Sequence, residues 1–252
     1  MLTSLAGGRW LARLGGQAVR HVVLGKGVTV QDLTARLPEP EALRTRCRAF
    51  GVLDAVFSLT YPKYHFTASW REGVDLAHME NGGGDHWDIV FEPAGVFVYG
   101  FDHESEATPW RDEPRAHWPG LLDGLPASLA RWPEEAEFQF EDFFDATLCI
   151  WRETGDDAWH CGPVEFDGDA SSTDGSSWLF DEIADAADGD VNGSGAYLDH
   201  AKYYFERTID AEAARAVMAG EPLTAELVRA LNSGADFAEV AKIARRAGYP
   251  VG

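Results

Sequence analysis

The chain has 252 residues, 45% of them hydrophobic and 25% charged, and a formal net charge of −21 at pH 7. This length allows one large domain or two small ones with a true core. The charge argues against nucleic acid and anionic lipid as partners, because both need cationic contacts, and no apolar run is long enough to suggest a membrane span.

The acidity is concentrated in the middle of the chain. Residues 1–50 carry eight Lys/Arg against three Asp/Glu, residues 51–200 carry six against thirty-two, and residues 201–252 carry seven of each. Such a field favours a basic partner or a divalent cation, although solubility alone would also account for it. Nine Trp and fourteen Phe read first as core packing. Cys47, Cys149 and Cys161 form no CxxC pair, and their odd number and wide spacing point to free thiols in a reducing cytoplasm.

Residues 1–28 read as a basic N-terminal segment. Arg9, Arg13 and Arg20 interrupt it before a signal-peptide core can form, while Trp10, Leu11 and Leu14 suit one side of an amphipathic helix. The rest, 29–252, is expected to form a single α+β domain with a mainly antiparallel sheet and a helical C-terminal part from 194 to 252. VTVQDLTARL and EPEALRTRCRAFGVLDAVF read as helices, with Leu43, Cys47 and Phe50 on a buried stripe. YHFTASW and VDLAHM read as strands. NGGGD is a turn rather than a phosphate loop, since no Lys or Thr and no helix follows. HWDIVF, the turn EPAG and VFVYGF form a hairpin.

Residues 105–118 read as a loop. WPGLLDGLPASLARW suggests a short helix broken at Pro126, and ATLCIWR, ETGDD and AWHCGPVEF a second hairpin. Residues 167–176 look like a Gly/Asp/Ser linker, and SSWLFDEIADAA like a helix. Toward the C-terminus, Tyr197, Ala201, Tyr204 and Phe205 share a helical face. Asp210 and Thr224 are expected to start two further helices, and DFAEVAKIARRAG to close at Gly248.

Centring the hairpin turn between Pro93 and Ala94 fixes a register in which paired residue numbers sum to 187. Phe91 then faces Val96, Ile89 faces Val98 and Trp87 faces Gly100 on one side, with Asp88 beside Tyr99 and His86 beside Phe101 on the other. Extended to the open end, the register sets Asp85 opposite Asp102. If the strand continues, Glu104 joins them and His103 points away. Paired carboxylates raise each other's pKa or recruit a cation, so Asp85, Asp102 and Glu104 form a candidate oxygen-ligand cluster with His103 as a neighbour. The plainer reading is that Asp102 caps the following loop or pairs with Arg111 or Arg115. His78, Glu80 and His86 lie near one another around the NGGGD turn, without metal-site spacing. No nucleophile–base arrangement stands out, and no cofactor motif appears.

Residues 78–106, HMENGGGDHWDIVFEPAGVFVYGFDHESE, resemble the central hairpin of the SUKH superfamily, which includes bacterial immunity proteins against polymorphic toxins and fungal cell-wall-synthesis regulators. LPEPEAL is similar to the helix start of those proteins, and the stretches GFDHES and WPG resemble an actinobacterial-type group. The resemblance covers about a quarter of the chain. It implies a non-enzymatic α+β protein whose surface neutralises a toxin. The expectation is therefore an acidic binding protein for a basic partner, with Asp85, Asp102, Glu104 and Trp110 as contact residues. The alternative is a divalent-metal-dependent hydrolase using Asp85, Asp102 and Glu104 with His103 or His86 as proton carrier.

Overall fold

The computed structural model describes residues 29–166, 174–184 and 193–252. The basic segment 1–28 lies outside the described residues, as do 167–173 of the expected linker and 185–187 at the end of the helix expected from Ser176.

Helix α1 (Val30–Arg36) starts where the Asp32 carboxylate accepts the Thr29 backbone N–H at 3.0 Å. Helix α2 (Pro40–Phe57) begins on a proline, whose missing N–H costs nothing in a first turn. Leu43, Cys47 and Phe50 are buried along it, as the 3.6-residue period requires. Four strands follow: β1 (Tyr64–Arg71), β2 (Val74–Glu80), β3 (His86–Glu92) and β4 (Gly95–Phe101). A small ribbon, β5 (Gln139–Phe140) and β6 (Phe143–Phe144), precedes β7 (Leu148–Glu153). The main sheet has the order β1-β2-β3-β4-β7 and is antiparallel throughout. With its flanking helices, this is an α+β fold.

The central hairpin takes the expected register, with Trp87 opposite Gly100, Ile89 opposite Val98 and Phe91 opposite Val96. These side chains face the helices and share one core with Phe50, Leu53, Phe180 and Tyr197. Each fully buried side chain of this size contributes about 1.5–3 kcal/mol relative to exposure. The other face, with Val90, Phe97, Tyr99 and Trp151, is covered by the irregular layer between residues 117 and 146, through Leu121, Leu129, Trp132, Phe138 and Phe144. A sheet covered on both sides leaves few polar positions in β3 and β4. Three remain in β3: Glu92 accepts from Arg131 and Trp132 of the cover, while His86 and Asp88 lie at the opposite end of the strand, where the cover ends.

Two expected elements are corrected. Residues 119–131 form no α-helix but a chain of turns closed by i→i+3 bonds, such as Leu121 N–H to Trp118 C=O and Leu129 N–H to Pro126 C=O. Gly120 and Gly124 adopt φ of 86° and 87°, a left-handed backbone that an α-helix cannot include. The second hairpin is reduced to one bridge between Trp151 and His160. Beyond it, Pro163 lacks a donor for a ladder, and β7 is paired instead to β4.

At the C-terminal end, α3 (Asp181–Ala184) leads to α4 (Ser194–Tyr204), α5 (Ala211–Met218), α6 (Ala225–Leu231) and α7 (Phe237–Arg246). Asp210 caps α5 by accepting Ala213 N–H at 2.8 Å, and Thr224 caps α6 by accepting Leu227 N–H at 3.2 Å. Helices α5 and α7 pack on α2. Tyr197 and Ala201 are buried as expected of their shared face, but Tyr204 sits at the last turn of α4 and is 41% exposed. Among the described residues, no helix is long and apolar enough to cross a membrane.

Candidate functional site

The open end of the central hairpin brings Asp85, Asp102 and His103 together, with one ligand atom from each lying within 4.8 Å of the others. Glu104 is not part of this group. Strand β4 ends at Phe101 and the chain turns at once, so strand alternation no longer governs the next residues. The turn swings His103 toward Asp85 and leaves the Glu104 side chain 86% exposed. The expected division of the DHE string is thus reversed.

Each member of the group is held by internal bonds. Asp85 Oδ1 accepts the His103 backbone N–H at 3.0 Å and lies 2.6 Å from His103 Nδ1, while Asp85 Oδ2 accepts Asn81 Nδ2 at 2.6 Å. Asp102 Oδ1 accepts Glu104 N–H at 3.1 Å, and Asp102 Oδ2 accepts the Trp178 indole N–H at 2.9 Å. Asp102 therefore caps the loop that follows it. Arg111 pairs with Asp112 and Arg115 with Asp145 instead. Burial works against the Asp85 carboxylate, yet the hydrogen bonds from His103 and Asn81 outweigh it and lower its pKa. The same contact with Asp85 raises the pKa of His103.

Beside this group opens a cleft of about 790 Å³ at the edge of the aromatic cover. Its floor is the polar end of the sheet face that carries His78, His86, Asp88 and Tyr99. Asp88 is buried and accepts on both oxygens, from the Tyr99 hydroxyl at 2.6 Å and beside His78 Nδ1 at 2.8 Å. Glu80 pairs with His86 across β2 and β3. The outer wall comes from the segment 137–145, including Phe140 and Asp145, and from Trp110. Trp110 and Phe140 are 51% and 57% exposed, and their rings lie 6.0 Å apart at the lip. Glu80, Asp85, Asp88, Glu137 and Asp145 line the cleft; no Lys or Arg does so among the described residues.

The histidines are shifted in opposite directions. Burial opposes protonation of His78, but Asp88 overrides it through charge and hydrogen bond, and its pKa rises. Burial lowers the pKa of His86, and the surrounding carboxylates do not recover it. His65, paired with His78 across β1 and β2, is likewise lowered, by burial first and the charge of His78 second. Burial also raises the pKa of Asp145 although Arg115 and Trp110 both donate to it. The floor thus holds one histidine whose protonated form is favoured by a carboxylate and one whose neutral form is favoured by burial, their ring centres 6.4 Å apart.

Comparison of the chain with protein-family models, curated proteins and solved structures finds no match. The site therefore rests on its own geometry. Of the residues singled out from sequence, Asp85, His103 and Trp110 line the cleft, Asp102 lies behind it as a structural cap, and Glu104 projects into solvent nearby. The proximity of His78, Glu80 and His86 and the pairing of Asp88 with Tyr99 follow from the hairpin register. Asp145, Phe140 and Glu137 carried no sequence signal, because an irregular segment brings them to the sheet.

Proposed function

We propose that the protein is a non-enzymatic, acidic binding protein whose partner is a basic protein. The observation that carries this reading is the lining of the cleft, with five carboxylates, no Lys or Arg among the described residues, and an exposed aromatic lip at Trp110 and Phe140. Low-dielectric walls lined by one sign of charge focus a field on an approaching cation, which accelerates encounter as well as strengthening it. Trp110 and the exposed Glu104 act as contacts, Asp85 contributes charge to the wall, and Asp102 holds the loop from which Glu104 projects. The resemblance of residues 78–106 to SUKH immunity proteins supports a toxin domain as that partner. A basic nuclease toxin, whose active surface must attract phosphate, presents the complementary charge. A cytoplasmic setting accords with Cys47, Cys149 and Cys161, all free thiols.

The test is titration of the full chain against cationic toxin domains, beginning with any encoded beside it, at low and high salt. Association that weakens steeply with salt is the expected result. Salt-insensitive self-association as the sole interaction overturns the reading.

A second reading, a divalent-metal-dependent hydrolase, draws on the proximity of Asp85, Asp102 and His103. A cation there must displace the contact between Asp85 and His103 Nδ1 and the Trp178 N–H on Asp102. It must also do without Glu104. Calorimetric titration with magnesium, calcium and manganese decides it, and absence of both heat and thermal shift ends it.

A further inference from the structure

Most carboxylates of the cleft are already engaged. Asp85 holds His103, Asp88 holds His78 and Tyr99, Asp145 holds Arg115 and Trp110, and Glu137 lies 3.5 Å from Arg71. Two polar groups on the floor are not. Among the described residues, Glu80 has no ion pair or side-chain hydrogen bond, and neither ring nitrogen of His86 has a hydrogen bond. These two residues are direct neighbours across β2 and β3. Glu80 offers acceptors only, and a neutral imidazole offers one acceptor nitrogen.

Resting on the reading as an acidic binding protein, we propose that this cleft receives a guanidinium side chain presented by the basic partner. Glu80 and His86 accept its N–H bonds, and the exposed ring of Phe140, beside Trp110 at the lip, covers its face. The molecule already contains this interaction once. Arg115 sits 4.5 Å from the centre of the Trp110 ring and donates to Asp145 at 3.1 Å, so an indole and a carboxylate of this cleft hold a guanidinium from within the chain. Phe140, 6.0 Å from Trp110 and more than half exposed, leaves an aromatic surface for a second planar cation. A guanidinium suits this lining better than an ammonium, since it is planar, weakly hydrated, carries five donors and stacks on aromatic faces. An anionic ligand would meet five carboxylates with no Lys or Arg on the lining among the described residues.

The experiment is an NMR titration of the full chain with arginine amide, lysine amide and citrulline amide, following the His86 ring and the Trp110 indole N–H. Arginine amide is expected to give saturable shifts at both positions. Lysine amide should bind about tenfold more weakly and citrulline amide, whose urea side chain is the uncharged isostere of the guanidinium, should give no saturable binding. Glu80→Gln and His86→Ala should each weaken arginine amide about tenfold, with the buried Trp87 indole signal reporting an intact fold. The proposal is overturned if arginine amide gives no saturable shift, if citrulline or lysine amide binds equally well, or if both variants bind as the parent does. If a basic domain associates while arginine amide does not bind, this proposal falls and the wider reading survives. If neither binds, both fall.

Discussion

The ring of Phe180 stacks on the indole of Trp87, centre to centre 5.6 Å and 20° from parallel, in the space that Gly100 leaves open. A methyl group at position 100 would meet Phe180 at 3.1 Å and Leu148 and Leu179 at 3.3 Å. The indole N–H of Trp87 in turn donates to the Leu179 carbonyl at 3.0 Å. The glycine in β4 is thus what lets the segment 174–184 dock on the sheet. Gly100→Ala is expected to destabilise the fold by about 1–3 kcal/mol, as overpacking of a filled core does. Urea unfolding measures this, and an unchanged midpoint would show that the segment is not held here.

The same position shows how far sequence reasoning reaches. Centring the turn between Pro93 and Ala94 set an indole opposite a glycine and Asp88 beside Tyr99, while the NGGGD turn brought Glu80 near His86. That inference needs only strand alternation and a turn of known length. The aromatic residue that fills the space, Phe180, is eighty positions later than Gly100, and no periodicity links the two. Likewise, Asp145 and Phe140 reach the cleft through a segment without regular structure. The DHE string was misdivided for a local reason: alternation was carried through Asp102 and His103 to Glu104, three residues past the end of β4, where the loop capped by Asp102 takes over.

Asp54 and His200 form a buried polar centre between α2 and α4. His200 Nε2 lies 3.1 Å from Asp54 Oδ1, and Nδ1 lies 3.7 Å from Glu182 Oε1. Glu182 also accepts from Lys63 Nζ at 2.8 Å and from the Tyr64 hydroxyl. Burial opposes charge on His200, but its hydrogen bond to Asp54 and the nearby Glu182 carboxylate raise its pKa above 6.5. Burial opposes charge on Glu182 as well, and His200 and Lys63 together lower it from 4.5 to about 2. A raised histidine stabilises fully below 6.5 and loses that contribution as pH rises through its folded value. A lowered carboxylate stabilises fully above 4.5 and loses its contribution as pH falls toward about 2. The centre is therefore complete between pH 4.5 and 6.5 and weakens on either side. His78 and His103 act in the same alkaline direction, whereas the raised Asp145 and Asp174 oppose the acid loss. Comparison with His200→Gln isolates the centre. Urea unfolding at about pH 6 and about pH 9 should show a smaller alkaline loss in the variant than in the parent. Equal losses would mean that His200 does not carry charge in the fold.

Asp88 sets the charge of the floor of the cleft. Asp88→Asn removes the negative charge beside His78 while keeping a hydrogen-bond partner for Tyr99. The titration midpoint of His78 should move down. That of His65 should move up, since the charge on His78 is one of the two causes depressing it. Opposite movements in two neighbouring rings, 5.9 Å apart, are not what general loosening of the sheet would produce. Histidine ring NMR reads both, and movement of the two in the same direction would refute the coupling.

Asp102 and Glu104 are two residues apart yet have different environments, which separates structural from binding roles. Asp102 is buried, with its oxygens taken by Glu104 N–H and the Trp178 indole. Asp102→Ala removes the partner of the half-buried Trp178 indole N–H and the cap of the loop, and is expected to cost about 1 kcal/mol of stability. Glu104 is exposed, so Glu104→Lys should change stability by less than about 0.5 kcal/mol while slowing association with a basic protein, because charges at a rim act mainly on encounter. Thermal unfolding together with stopped-flow association at low salt measures both. If Glu104→Lys leaves the association rate unchanged, this end of the hairpin does not face the partner, and the encounter surface must be sought on another acidic part of the chain.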